Sequence, residues 1–168
     1  MVLRKILEVL LIEDNLDDAK LVVQTLKDFQ PGIAVSTVRD GAEALDCLFG
    51  TGVYKSPYTP HLILLDLGLP KVSGLEVLRV IRSYARTSVI PVVIFSASPA
   101  EQKVAEGYKL GANSYILKPQ DPGHFRKLVR QIAEYWAKVL MPQSAPDLTG
   151  PDGADEASSK EDPAISGM

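Results

Sequence analysis

The chain has 168 residues, 46% of them hydrophobic and 23% charged, which suits one globular domain with a full core. No apolar run approaches the roughly 20 residues that a membrane-spanning helix needs. A net charge of −3 gives no footing for nucleic acid, and a single cysteine, Cys47, permits no internal disulfide.

Residues 1–5 lead straight into a strand pattern without a signal peptide's small-residue cleavage site. With one cysteine, this points to a reducing cytoplasm. Residues 6–12 form an apolar run broken only by Glu8, a buried strand. Residues 17–29 place Ala19, Val22, Val23, Leu26 and Phe29 on a helical stripe that Pro31 and Gly32 end. Residues 33–38 alternate weakly, as a strand would. Asp40 caps the next helix, with Glu43 in capping-box position, and that helix closes near Gly50. A long connection over residues 50–60 carries Tyr54 and Tyr58.

Residues 62–65 are a second fully apolar strand, ending at Asp66. Ser73 and Glu76 open a helix through Leu78, Ile81 and Tyr84. A strand follows over residues 91–95. Ser98, Pro99 and Glu101 supply a cap, a first-turn proline and a third-position acid for a helix that stops before Gly111. Residues 114–117 form a short strand. Asp121 and Pro122 start the last helix, which runs to about Leu140.

The pattern is strand–helix repeated five times: an α/β, doubly wound (βα)5 fold with a five-stranded parallel sheet between helices. The predicted folded domain is residues 1–141. From residue 142 onward six acids face Lys160, a balance of −5 that leaves the preceding body at +2. That stretch, residues 142–168, has almost no large apolar side chains and is expected to be a disordered acidic tail.

Ligands of open α/β sheets bind outside the carboxyl ends of the strands. Glu13 and Asp14 follow the first strand, Asp66 the third, Ser96 the fourth, and Lys118 and Pro119 the fifth. Each alone reads as a turn or capping residue. Together they bring three carboxylates, a hydroxyl and an ammonium to one edge. Clustered carboxylates call for a hard divalent cation such as Mg2+, which in turn favours a phosphoryl oxygen. Lys118 and Ser96 would complete charge neutralisation, and a carboxylate nucleophile there would form an aspartyl phosphate. Asp66, at the sheet's centre, is the candidate.

With these residues in place, the chain resembles the receiver domains of response regulators, the phosphoacceptor half of two-component signalling, over roughly residues 5–140. The resemblance implies a flavodoxin-like fold with strand order 2-1-3-4-5. It implies that Glu13, Asp14, Asp66 and the backbone carbonyl of Gly68 hold Mg2+, and that Asp66 is the phosphoacceptor. Lys118 and Ser96 would act on the phosphoryl group, with Ser96 and Tyr115 as the switch pair. Pro70 and Gly74 match the family's loop residues, and Pro119 a proline whose peptide bond is typically cis. Gly68 stands where the family often has a larger residue, and Ser98 where it tunes phosphate lifetime.

Other mechanisms fit less well. A phosphatase of the haloacid-dehalogenase type needs a second Asp where Gly68 stands, and a dinucleotide site needs glycines where "EDNLDD" follows the first strand. The chain is therefore not expected to be an enzyme. A receiver-like binding module that never takes phosphate is the remaining alternative. His61 and His124 read as surface residues and Cys47 as a packed one.

The tyrosine-bearing connection and the ending "EYWAKVLMP" resemble the small stand-alone regulators paired with phytochrome-type histidine kinases. This second resemblance implies a bacteriophytochrome-type sensor histidine kinase as partner. The last helix should outrun the sheet, at about 1.5 Å per residue over some 20 residues. Trp136, Val139 and Leu140 at its end are expected to form an exposed stripe that pairs two copies as a homodimer. No nucleic-acid or membrane partner is expected.

Overall fold

The structure is a computed structural model and describes residues 7–140. The expected tail lies outside the described residues. The elements run β1 (Leu7–Ile12), α1 (Leu16–Phe29), β2 (Ile33–Val38), α2 (Gly41–Phe49), β3 (Leu62–Asp66), α3 (Gly74–Ser83), α4 (Ala85–Ser88), β4 (Val92–Ser96), α5 (Glu101–Lys109), β5 (Ser114–Leu117) and α6 (Pro122–Leu140). All strand pairs are parallel, in the order β2-β1-β3-β4-β5.

Side chains of successive strand residues point to opposite faces, so each continuous apolar strand feeds two cores. Leu10, Ile12, Ile63, Leu65, Val92 and Ile94 meet α2 and α3 through Leu48, Val77, Leu78 and Ile81. Val9, Leu11, Leu62, Leu64, Val93 and Phe95 meet α1 and α6 through Val22, Leu26, Phe125 and Val129. The register sets the functional edge. Ile12 pairs with Val38 and Leu65, Asp66 with Phe95, and Ser96 with Leu117, so the strands end together.

Four local expectations change. Asp66 and Ser96 are the last residues of their strands rather than the first beyond them. The helix after β4 starts at Glu101 behind Ala100, not behind Ser98. Ser98 instead bends its own loop, its Oγ accepting from Ala100 N at 3.4 Å. The one-turn helix α4 has no signal in the apolar pattern, being four residues long. No peptide bond among the described residues is cis, so Pro119 follows a trans bond.

The long connection before β3 braces the lower end of the molecule. Tyr54 and Tyr58 pack on the α2/α3 core, and Tyr54 Oη donates to Glu43 at 3.1 Å. Arg86 donates to Thr59 Oγ1 at 2.7 Å and to the Leu48 carbonyl, and its guanidinium stacks over Phe49. His61 Nδ1 accepts from Glu8 N at 2.9 Å, which ties β1 to the entry of β3.

The expected stripe at the end of α6 is divided. Trp136 is only 8% exposed and belongs to the α1/α6 core, whereas Val139 is 51% exposed. The 50–60 connection plays no part in covering Trp136, because it packs on the opposite face of the sheet. The tryptophan is held by Tyr135 edge-on at 5.2 Å and by the core beneath it. Trp136→Ala should therefore cost about 3–5 kcal/mol of folding free energy, as core truncations do. Val139→Ala should cost well under about 1 kcal/mol. Urea unfolding of the two variants measures the contrast, and equal losses would contradict this division of the helix.

Candidate functional site

The in-register strand ends open a cleft of about 310 Å³ bordered by Glu13, Asp14, Asp66, Ser96, Lys103 and Lys118. Carboxylate oxygens of Glu13, Asp14 and Asp66 all lie within 4.8 Å of one another. Glu13 and Asp66 are buried and Asp14 is exposed, with Asp66 at the end of the central strand. The five expected groups meet, with Lys118 reaching across from β5.

Lys118 Nζ contacts Glu13 Oε2 at 2.5 Å, Asp18 Oδ2 at 3.1 Å and Asp66 Oδ2 at 3.4 Å. Burial alone would lower its pKa, but its hydrogen bonds and attraction to Glu13, then the charges of Asp66 and Asp18, outweigh this and hold it above its usual value. At Glu13 burial wins instead. Burial pushes its carboxyl up to about 7, the charge of Asp66 adds to this, and Lys118 only partly offsets it. Among the described residues, Lys118 is the one ammonium paired with these acids.

Backbone geometry holds the acids in place. Asn15 caps α1, its Oδ1 accepting from Asp17 N and Asp18 N at 3.0 Å each, and its own N–H donates to Glu13 Oε1 at 3.1 Å. Asp18 thereby enters the first turn of α1 aimed at Lys118. Gly74 starts α3 against the end of β3, where a Cβ would stand 2.3 Å from the Asp66 carbonyl oxygen. Gly68 N donates to Asp66 Oδ1 at 3.3 Å, and a Cβ on Gly68 would meet nothing within 4 Å. That side of Asp66 is open, as its small side chain implies. Lys71, with φ of 65°, turns the loop beyond Pro70 and pairs with Asp40 at 3.1 Å.

Ser96 and Tyr115 are joined through one residue. Ser98 N donates to Ser96 Oγ at 3.1 Å, and Tyr115 Oη donates to the Ser98 carbonyl at 3.0 Å. The ring rests over Gly107 of α5, where an added Cβ would lie 3.4 Å from it. Asp18, Asn15 and Lys103 are site residues that the strand-end reading passes over. Asp18 is readable once Asn15 is taken as the cap of α1, since the first helical turn lies at the same edge.

All donors in the cluster are hard oxygens, the set that suits Mg2+, Mn2+ or Ca2+. Four acids against Lys118 and the more distant Lys103 also leave uncompensated negative charge. The residues present therefore fit a divalent cation.

A sequence profile described as the response regulator receiver domain matches residues 9–130. The chain belongs to the response regulator receiver family. The response regulator Rcp1 of Synechocystis sp. (strain ATCC 27184 / PCC 6803 / Kazusa) is 36% identical over 132 residues, covering 79% of this chain and 90% of that protein. Its Mn(2+)-bound structure aligns with a TM-score of 0.75 at 35% identity, covering 83% of this chain and 98% of that one. The phosphorylated cyanobacterial phytochrome response regulator RcpA gives 0.77 at 38% identity, over 80% of this chain and 96% of that one. The bacteriophytochrome response regulator AtBRR gives 0.62 at 39% identity, over 76% and 92%. The chain is thus a receiver domain related to phytochrome response regulators, and the expected strand order and family both hold.

The raised pKa of Glu13 has a pH signature. A carboxyl whose folded pKa exceeds its unfolded value stabilises the fold most at low pH, and that contribution is lost as pH rises from about 4.5 through about 7. Metal-free wild type, compared with Glu13→Gln at each pH, should lose relative stability across this window, at up to about 1.4 kcal/mol per pH unit. Denaturant titrations from pH 4 to 8 test it. A constant difference between the two proteins would mean that Glu13 ionises normally.

Proposed function

We propose that this receiver is a phosphorylation switch in which Asp66 takes a phosphoryl group from a sensor histidine kinase of the phytochrome type. The observation that carries this is the approach of Glu13, Asp14 and Asp66 within 4.8 Å of one another, with Lys118 against Asp66. The kinase class rests on the kinship to RcpA and AtBRR, whose names tie them to phytochromes.

One carboxylate oxygen of Asp66 attacks phosphorus. The bond to the donor imidazole nitrogen breaks, and the imidazole leaves with the electron pair. The Lys118 ammonium neutralises a phosphoryl oxygen, and the Ser96 hydroxyl donates to another. Glu13, Asp14, Asp66 and the Gly68 carbonyl would hold Mg2+, which when bound neutralises phosphoryl charge. The Mn2+-bound form of Rcp1 supports a divalent cation here.

As Ser96 turns to the phosphoryl group, it leaves the Ser98 N–H. The loop is then free to move, and Tyr115, held on the Ser98 carbonyl, moves with it. This is a population shift in a two-state element. Output is then by contact rather than catalysis, in the cytoplasm, with residues 1–141 as the receiver and 142–168 as its tail. A homodimer would form through the end of α6, apart from this corner. Val139, beside Leu140 and the exposed Tyr135, would form the contact, while Trp136 is committed to the core.

Incubation with acetyl phosphate and Mg2+, followed by intact mass, tests the switch. Wild type should gain one phosphoryl group, and Asp66→Asn should gain it about a hundredfold more slowly or not at all. An unmodified wild type would favour the phosphate-independent binding module. Light scattering at tens of micromolar should give a dimer that Tyr135→Glu with Val139→Glu dissociates. A monomeric wild type, with or without phosphate, would remove the dimer.

A further inference from the structure

Two contiguous grooves run along α1, the first starting beside Glu13 of the carboxylate cleft. The first, about 680 Å³, lies between α1 and the β2 edge and is lined by Lys20, Lys27 and Arg39. The second, about 440 Å³, lies between α1 and α6 and is lined by Arg126, Lys127 and Arg130. Gln24 and Asp28 border both, so the two form one surface across the helix. None of the six cations has a carboxylate within 4 Å among the described residues. In contrast, Lys71, Arg79, Lys118 and Lys138 are all paired. Asp28 is the one exposed acid on this surface, since the Glu13 that ends the first groove is buried and held by Lys118.

We propose that residues 142–168 dock on this basic face of their own chain. Charge complementarity is the first argument. The segment carries Asp147, Asp152, Asp155, Glu156, Glu161 and Asp162 against Lys160 alone. The body it leaves is positive, and six unpaired cations of that body lie on one surface.

Reach is the second. The segment departs from α6, the helix that forms one wall of the second groove. Arg130 lies ten residues before Leu140, about 15 Å back along the helix. The seven residues from Leu140 to Asp147 span up to about 23 Å when extended. The first acid therefore reaches Arg130, and those after it reach Lys127 and Arg126 or cross α1 to Lys20, Lys27 and Arg39. A tether of this length supplies an effective concentration of order millimolar, so weak ion pairs suffice for occupancy. Screening then sets the condition. With a Debye length near 8 Å at physiological salt and about 4–5 Å at 0.5 M, docking is salt-sensitive.

The proposal concerns the unphosphorylated chain and stands apart from the phosphoryl reading. The test uses the full chain with Ala157→Cys carrying a nitroxide. Cys47 is buried and its thiol pKa is pushed up by burial, so the label goes to the new site. Paramagnetic broadening of backbone amides is read at low salt. Amides of residues 20–28 and 123–130 should lose at least about half their intensity, and recover in about 0.5 M NaCl, where screening is strong. Arg126→Gln, Lys127→Gln and Arg130→Gln together should relieve the broadening, with an unchanged circular dichroism spectrum confirming the fold. Broadening spread evenly over the surface, or surviving the triple substitution, would overturn the proposal. So would groove broadening that arises only when labelled and isotope-enriched molecules are separate copies, since the occupant would then be a second chain.

Discussion

Repulsion among carboxylates at one edge of the sheet is the constraint around which this molecule is arranged. Glu13, Asp14 and Asp66 are forced together by the register of β1 and β3, which no side chain at the site can relax. Separating them would require shifting a strand, and a one-residue slip would move every side chain of that strand into the opposite core, where it does not fit. The hydrophobic effect therefore holds the charges together. The price appears at Glu13, whose proton affinity rises because burial removes water and Lys118 cannot answer four acids alone. A site in this condition has a built-in preference for added positive charge.

The same constraint explains the small residues nearby. Gly74 lets α3 begin against the last carbonyl of β3, which fixes the direction in which Asp66 leaves the sheet. Gly68 has no such steric reason, as a side chain there would enter open space. Its smallness leaves that side of the Asp66 carboxylate open, which packing does not require. The two glycines stand six positions apart on either side of one turn, and only Gly74 is dictated by packing.

Much of this was legible in the sequence. Apolar runs with no alternation gave buried parallel strands, and the residues ending them gave Glu13, Asp14, Asp66, Ser96 and Lys118. What escaped has local causes. Asp18 joins the site because Asn15 caps α1 and places it in the first turn, a position that the apolar stripe over residues 17–29 does not reveal. Trp136 read as exposed because helix length was compared with strand length alone. The α1 helix alongside extends the core beyond the sheet, and Trp136 is buried there with Ile132 and Ala133. The one-turn α4 is too short to show a period, and its position is set by Arg86 and by Thr87 Oγ1 donating to the Ile81 carbonyl at 2.7 Å.

The link between Ser96 and Tyr115 shows how a small motion can be transmitted without a long pathway. A hydroxyl that holds a backbone N–H and a carbonyl that holds a phenol belong, on the receiving side, to the same residue, Ser98. Its side chain is not needed for either bond; its backbone is. The Ser98 side chain instead bends the loop toward Ala100, which leaves α5 without a side-chain cap at its start. An uncapped first turn leaves backbone donors dependent on water and lowers the resistance of that end to movement. Tyr115 rests over Gly107 on the same helix. Under the proposed switch, movement of the loop would reach the ring and the N-terminus of α5 together, through bonds that the buried central strands do not share.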